Sequence, residues 1–453
     1  MLRVKTVDAR QGAIIPKIIM YSVPVILSTL IQSLFNAVDM VVLGNMADSV
    51  SVASVGATST IVSLIVNSFF GFSSGIKILI ARFIGENSAD KIKKTVDTTI
   101  ILGLSLGVLI SIAGWIASPY FLEMTNCPEE CFKGALLYIR IYLLAAPAIL
   151  LYNFGSAIIS ASGDTQRPLY YMVFCGLLNV VLNIILCFVL EQKVAAVAVA
   201  TALSQILGAV LVLIRLFKAD ELIRLRLRSM KFSLLALKKI FVLGAPIALS
   251  NALFPLANLQ ILTAVNSYGV SALAGNSASN TLQTISNAFH AGISSTTSVF
   301  IGQNLGAQKH DRVKKVFFHC LWMNFTIGLV EGLFFYHTGR FWLGFILADD
   351  AAAIDYAMIS VGHIIRFYFI AALNGVLAHF IQAFGYSTLS SANSIFCVFV
   401  FRMIWMRWIY PLIESFRGLM FCYTVSWTLM LITNTTFAVI IYRRYKKGKY
   451  KKL

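Results

Sequence analysis

The sequence predicts an all-α integral membrane protein, with twelve transmembrane helices arranged as two six-helix lobes that repeat in parallel. Hydrophobic residues make up 58% of the 453 and charged residues only 12%, and mean hydropathy is +0.81. Soluble chains of this length do not carry that balance. Twelve apolar stretches punctuate the chain, each long enough to cross a bilayer core, which takes roughly 20 residues. The third observation is an internal repeat. A shift of 221 residues aligns GFSSGIKILIARFIGENSADKIKK (71–94) with GISSTTSVFIGQNLGAQKHDRVKK (292–315). A shift of 222 pairs Pro24 with Pro246, Ser28 with Ser250, Asn36 with Asn258 and Gly163 with Gly385. Six spans per half, an even number, leave both halves in one orientation, so the repeat axis runs along the membrane normal.

Taken in order, the N-terminus MLRVKTVDARQG lacks a short apolar core with a small-residue cleavage site, so no signal peptide is expected to be removed. The first span, near 14–43, carries Ser28, Gln32, Asn36 and Asp39 within about 80° of the helix circumference, one polar stripe on an apolar rod. An acid in a membrane helix is costly and usually faces a protein interior or a wet cavity. The competing reading puts Asp39, late in the stretch, among the headgroups. Spans follow near 51–82, 95–117, 134–157, 168–190 and 194–217; in the fifth, Asn179 and Asn183 stand four apart and share a face. The longest connection, 218–238, separates an N-lobe (1–217) from a C-lobe (239–442), and a basic tail (443–453) follows.

The C-lobe spans lie near 239–265, 271–301, 316–338, 354–382, 387–411 and 418–442. The eighth carries Asn276, Asn280, Gln283, Asn287, His290 and Ser294, again within about 80°, a polar face longer than packing requires. It reads as a cavity wall for substrate, together with Gln32 and Asn36. Glu331, in the ninth span, is expected to be a second proton or drug-cation site, or the partner of an arginine. Lys77, Arg140 and Arg366 sit near span ends, where they can snorkel or bind carbonyls, acids or lipid phosphates. Arg402 and Arg407 fit an outer-leaflet role for the same reason. Together these cations keep an anionic substrate in view.

The net charge of +18 would suggest nucleic acid in a soluble protein, but here topology explains it. Of 37 Lys and Arg, 28 fall at the termini and in the even-numbered connections and only four in the odd-numbered ones. That asymmetry puts both termini in the cytoplasm. The seven cysteines are scattered; the close pair, Cys127 and Cys131, is spaced poorly for a disulfide and, with no His nearby, weakly for a metal.

Along its whole length the sequence resembles the multidrug and toxic compound extrusion (MATE) family. The residues responsible are IPKIIMYSVPVILSTLIQSLFNAVDMVVLG (15–44), ASGDTQRP (161–168), LLNVVLNIILCF (177–188), AVATALSQ (198–205), LGAPIALSN (243–251) and GQNLGAQK (302–309). The resemblance implies two lobes forming a V around a central cavity that opens alternately to either side. It also implies efflux of bulky organic cations driven by inward H⁺ or Na⁺, in a bacterial inner membrane. By motif, the amino-lobe cation site would comprise Asp39, Asn179, Asn183 and Thr201, the same set that would hold Na⁺ if sodium couples. Many relatives have Asp where this chain has Asn183, which leaves Asp39 without a second acid. The Glu that some branches carry on the seventh helix is absent near Phe254 and Pro255, so the chain looks closer to the DinF-like bacterial branch. Protons are favoured over sodium, because burial raises the pKa of an unpaired acid.

Other classes fit less well. A flippase or exporter of a lipid-linked or anionic amphiphile, from the same larger exporter group, would want a cation-lined cavity. An enzyme would need clustered His, Cys or acids, which the six scattered histidines do not supply. No phosphate loop is present, so ATP is not the driver, and a two-lobe repeat suits rocking better than a channel. The expected associations are small organic cations and membrane lipids, with no nucleic acid, no cofactor beyond the coupling ion, and a monomeric chain.

Overall fold

The computed structural model describes residues 6–448 except Asn126 and Asp349; the side chains of Asn36, Ala37, Asp39 and Met40 lie outside the described residues. Helices account for all the regular structure among the described residues. They are α1 (Ile14–Met46), α2 (Ser49–Gly85), α3 (Ala89–Met124), α4 (Glu129–Leu144), α5 (Ala146–Ala161), α6 (Gln166–Val189) and α7 (Lys193–Phe217). After a 3₁₀ turn at Leu227–Ser229 come α8 (Leu234–Asn266), α9 (Val270–Gly306), α10 (His310–Leu347), α11 (Ala351–His363) and α12 (Tyr368–Ala383). Then α13 (Ser387–Ser394), α14 (Phe401–Ile404) and α15 (Tyr410–Ile413), joined by π-helical turns, make one span before α16 (Phe416–Lys446).

Each expected span falls on a helix or a broken pair. The helices outrun the apolar stretches: α2 and α9 have 37 residues each, about 55 Å at the helical rise, against a hydrocarbon core of ~30 Å. Among the described residues, ten spans are apolar enough to cross a membrane singly, and the bent pair α4–α5 makes an eleventh, with a bend of 47°. That break follows from Pro147 at the start of α5, which removes a backbone donor and crowds the preceding turn. The twelfth is α9, whose polar face dilutes its hydropathy. The tenth span also breaks, at Ile364, and there the Thr424 hydroxyl donates to the His363 carbonyl. Large apolar side chains such as Ile116, Phe188 and Leu412 are left exposed, as a lipid-facing surface requires. The chain is a multi-pass membrane protein.

Two compact units divide the chain. One is Leu27–Ala248 with the segment ending at Asp8, and the other is Ala9–Ile26 with the stretch from Leu249 onward. Both α1 and α8 are therefore shared, and the crossing points, after Ile26 and after Ala248, lie 222 residues apart, the repeat shift itself. Glycines make each unit close-packed where the exchanged half-helix sits. A Cβ on Gly71 would stand 2.3 Å from the Ala248 Cα, and one on Gly75 would stand 2.5 Å from the Gly244 Cα. The repeat mate of Gly71 behaves alike: a Cβ on Gly292 would meet Ile26 at 2.4 Å. The lobes read from the sequence divide at 218–238. In the structure, this segment is tied to α3 of the first unit: Lys231 N donates to Asp97 Oδ2 (3.2 Å) and Ser233 N to Thr98 Oγ1 (3.1 Å).

Turns repeat as well. Gly163 and Gly385 have φ of 94° and 88°, and Asn87 and Gln308 have φ of 54° and 56°. In ASGDTQRP the turn glycine has no room for a Cβ, which would meet Val7 O at 2.2 Å. Asp164 then accepts from Arg167 N (3.2 Å) and Arg167 Nη1 (2.6 Å), closing the start of α6.

Candidate ion-coupling and cavity residues

In the first unit, α6 presents Asn179 and Asn183 on one face, as four-residue spacing dictates. Asn183 Nδ2 donates to Asn179 Oδ1 (3.4 Å), and Asn179 Nδ2 donates to Thr201 Oγ1 on α7 (3.4 Å). Both asparagines are buried and Thr201 is half-buried. Three of the four residues expected at the amino-lobe site thus form one hydrogen-bonded chain between α6 and α7. The fourth, Asp39, is on α1 with its side chain outside the described residues, as is Asn36; Gln32 is half-buried on the same helix.

In the second unit the α9 stripe divides. Asn276, His290 and Ser294 are buried, Gln283 is half-buried, and Asn280 and Asn287 are exposed. Gln283 Nε2 donates to Asn280 Oδ1 (3.1 Å). The C-terminal end of the stripe, buried at His290 and Ser294, turns towards α10 and meets Glu331. His290 Nε2 lies 3.3 Å from Glu331 Oε2, with the two side chains 6% and 11% exposed. Behind the ring, His290 Nδ1 pairs with Asn324 Oδ1 at 3.0 Å, while Asn324 Nδ2 donates to the Ala372 carbonyl (2.8 Å) and Ser294 Oγ (3.5 Å). Tyr368 of α12 stacks on the imidazole, with centroids 5.3 Å apart. Gly328 leaves the ring its space, since a Cβ there would come within 3.2 Å of the His290 Cε1. Glu331 therefore has a histidine as its partner, not an arginine. Asn324 was not expected, although Asn324, Gly328 and Glu331 at i, i+4 and i+7 do mark one face of α10.

Arg402 departs from its expected place. Its side chain is only 1% exposed, inside the second unit. Nη1 donates to Asn258 Oδ1 (2.7 Å) and Nε to Ser426 Oγ (3.4 Å), and the guanidinium lies 4.1 Å from the Tyr423 ring centroid. No carboxylate forms a salt bridge with it among the described residues, and Nη2 has no hydrogen-bond partner. The outer-leaflet expectation rests on the residue's place along the span, which does not say which face turns inward at α14, a short helix between two π-helical turns. Arg407 is exposed. Arg140 lies over the Trp115 ring (5.0 Å) and Arg366 over Tyr336 (4.5 Å), so aromatic faces are partners of both. No group of three or more His, Cys, Asp or Glu stands ready for a metal among the described residues.

A family model described as MatE matches residues 24–185 and again 246–406, one copy per half, starting at the paired prolines. The chain belongs to the MATE family. Its members are transporters, so this protein is a transporter and not an enzyme. Among relatives, it is similar to the probable multidrug resistance protein YoeA of Bacillus subtilis, at 26% identity over 319 residues and 68% of each chain. It is also similar to the multidrug export protein MepA of Staphylococcus saprophyticus, at 22% identity over 74% of each. Among solved structures, a MATE crystallised in complex with MaL6 superposes with a TM-score of 0.90 at 22% identity, covering 98% of this chain and 99% of the other. A MOP superfamily transporter from Pyrococcus furiosus gives 0.89 at 21%, covering 98% and 100%. At those identities the likeness carries the MATE fold and nothing about substrate.

Proposed function

We propose that this transporter exports bulky organic cations from a bacterial cytoplasm in exchange for inward protons, with Asp39 as the amino-lobe coupling acid and both termini cytoplasmic. The names of the similar proteins from Bacillus and Staphylococcus, which denote multidrug resistance and export, support drug-like substrates. The observation that carries proton coupling is the chain Asn183→Asn179→Thr201. Two oxygens that sodium would want, Asn179 Oδ1 and Thr201 Oγ1, already accept hydrogen bonds. Hard cations need several oxygens free at once, whereas a proton on a lone carboxyl needs none. A cationic substrate and a proton then compete for one negative charge, which is the exchange. The expected working form is a monomer surrounded by lipid.

The test uses purified protein in liposomes with an imposed pH gradient, no sodium on either side, and tetraphenylphosphonium as the substrate. Proton-driven accumulation is expected in the wild type and its loss in Asp39→Asn, which removes charge without volume. Movement only after sodium is added would overturn proton coupling and make the asparagines metal ligands. Full transport by Asp39→Asn would remove that acid from the mechanism. A second reading, export of an anionic amphiphile, draws on Arg402, a buried guanidinium without an acid partner among the described residues. It predicts that a fluorescent anionic lipid, not tetraphenylphosphonium, is moved.

A further inference from the structure

We infer that His290 and Glu331 form a second, single-proton site within the carboxyl-terminal unit, loaded and emptied during transport. The inference rests on the proton-antiport reading above but involves different residues. It starts from Asn324. The amide nitrogen of Asn324 is committed to the Ala372 carbonyl and to Ser294 Oγ, so its Oδ1 faces His290 Nδ1 as an acceptor. A carbonyl-type oxygen at 3.0 Å requires a donor opposite it, so Nδ1 carries hydrogen in every state of the pair. The tautomer is thereby locked, and Nε2 is the ring nitrogen left to share a proton with Glu331.

Nε2 faces Glu331 Oε2 at 3.3 Å. Neither Glu331 oxygen nor His290 Nε2 has another hydrogen-bond partner among the described residues, and all three atoms are buried. One proton between them gives a neutral pair overall, whether it sits on nitrogen or on oxygen. Without it, a nitrogen lone pair confronts a carboxylate in a site shielded from water, carrying one net negative charge. That arrangement is unfavourable unless a cation enters or α9 and α10 separate. The pair therefore takes up one proton, and its deprotonated form attracts a cation or changes the packing of the two helices. Exposed Asn287 lies one turn away on α9, which brings the pair close to the surface of its unit.

The surrounding groups leave the pair as the local charge centre. From α12, Tyr368 stacks on the ring, and from α16 Trp427 packs on Tyr368 at 5.4 Å and Tyr423 packs on Trp427 at 6.0 Å. Arg402 lies beyond, over Tyr423. Arg366, in a 3₁₀ turn at Ile365–Phe367, extends over Tyr336 and is exposed, and His363 Nδ1 is paired with the Ile359 carbonyl (2.9 Å). Asn324 acts here as a positioning residue for the histidine.

The experiment is infrared difference spectroscopy of the purified full-length protein in lipid, between alkaline and acid pH, with no substrate present. The wild type and Asp39→Asn should share a protonation signal that disappears in Glu331→Gln and is altered in His290→Gln. In parallel, the number of protons released per tetraphenylphosphonium bound should fall by about one in Glu331→Gln. Identical difference spectra in the wild type and both variants would overturn the inference. Should either variant fail to fold, ring-¹⁵N-labelled histidine in the wild type decides. One Nε2 signal must move with pH while its Nδ1 stays protonated, and no movement would overturn the site. Failure of pH-driven transport in the wild type would count against the antiport reading alone and would leave this titration standing.

Discussion

At the scale of single residues, the carboxyl-terminal unit holds two buried ionisable arrangements of opposite kind. Glu331 and His290 can cancel one another, whereas Arg402 is met, among the described residues, by neutral dipoles and a ring face. Burying a guanidinium without an acid costs more than hydrogen bonds to neutral partners return. Arg402→Met is therefore expected to leave thermal stability within about 1 kcal/mol of the wild type or to raise it. Asn258→Leu, which keeps the charge and removes its shortest hydrogen bond, should cost about 3 kcal/mol. Melting curves of the two variants in one detergent check the order, and the reverse order would mean that Arg402 is held by a partner of greater strength. Spacing made Asn179 and Asn183 legible as one face, because α6 is regular and a helical wheel applies to it; Thr201 was brought to them by the family resemblance alone. Nearness to a span end did not reveal that Arg402 turns inward, and Asn324 was passed over although it shares a face of α10 with Gly328 and Glu331.

Among the helices, the glycines on α2 and α9 set how closely their neighbours approach. Gly71 faces backbone atoms of Ala248, which cannot rotate away, while Gly292 faces chiefly the flexible end of Ile26. Gly71→Ala should thus destabilise by about 1–3 kcal/mol and Gly292→Ala by less, although the two are repeat mates. Thermal unfolding of the two variants in the same detergent checks this; equal losses would mean that the Ile26 side chain is as immobile as backbone. All twelve spans were visible in the sequence because each is an apolar run, including α9, which its polar face nearly hides. The breaks at Ala145 and Ile364 were not: a proline marks the first, but the second depends on a hydroxyl reaching across from α16. Helix ends were also underestimated, since polar residues continue a helix into water without any change of hydropathy to mark the continuation.

For the molecule as a whole, the charge asymmetry predicts which ends face the cytoplasm. Cysteines introduced at Asp48 and Glu130 should react with impermeant maleimides from outside, and ones at Ser88 and Gln308 should not. Reversed labelling would show the chain to be inverted. Of the native thiols near the surface, Cys131 is buried, and burial, with Cys131 beside it, pushes the Cys127 thiol above its usual range. The thiolate is the reactive form, so background labelling at Cys127 should be slow near neutral pH. The repeat was legible in the sequence because turn residues and helix-packing glycines obey strict geometric demands in both halves. What it could not reveal was that each unit borrows half of its first helix, since exchange leaves composition and periodicity untouched.

That borrowing has a consequence for how the protein is made. Residues 9–26 are synthesised well ahead of the rest of the unit they complete, which resumes only at Leu249. Half of the first helix must wait in the bilayer while more than two hundred residues are synthesised. Genes cut at 218–238 and expressed separately would each yield a fragment lacking a piece of its own interior. In an ancestral six-span chain the same exchange would have run between two subunits, a domain-swapped pair. Duplication and fusion would then have turned a bimolecular embrace into a covalent one, and with it a concentration-dependent assembly into an obligatory order of synthesis.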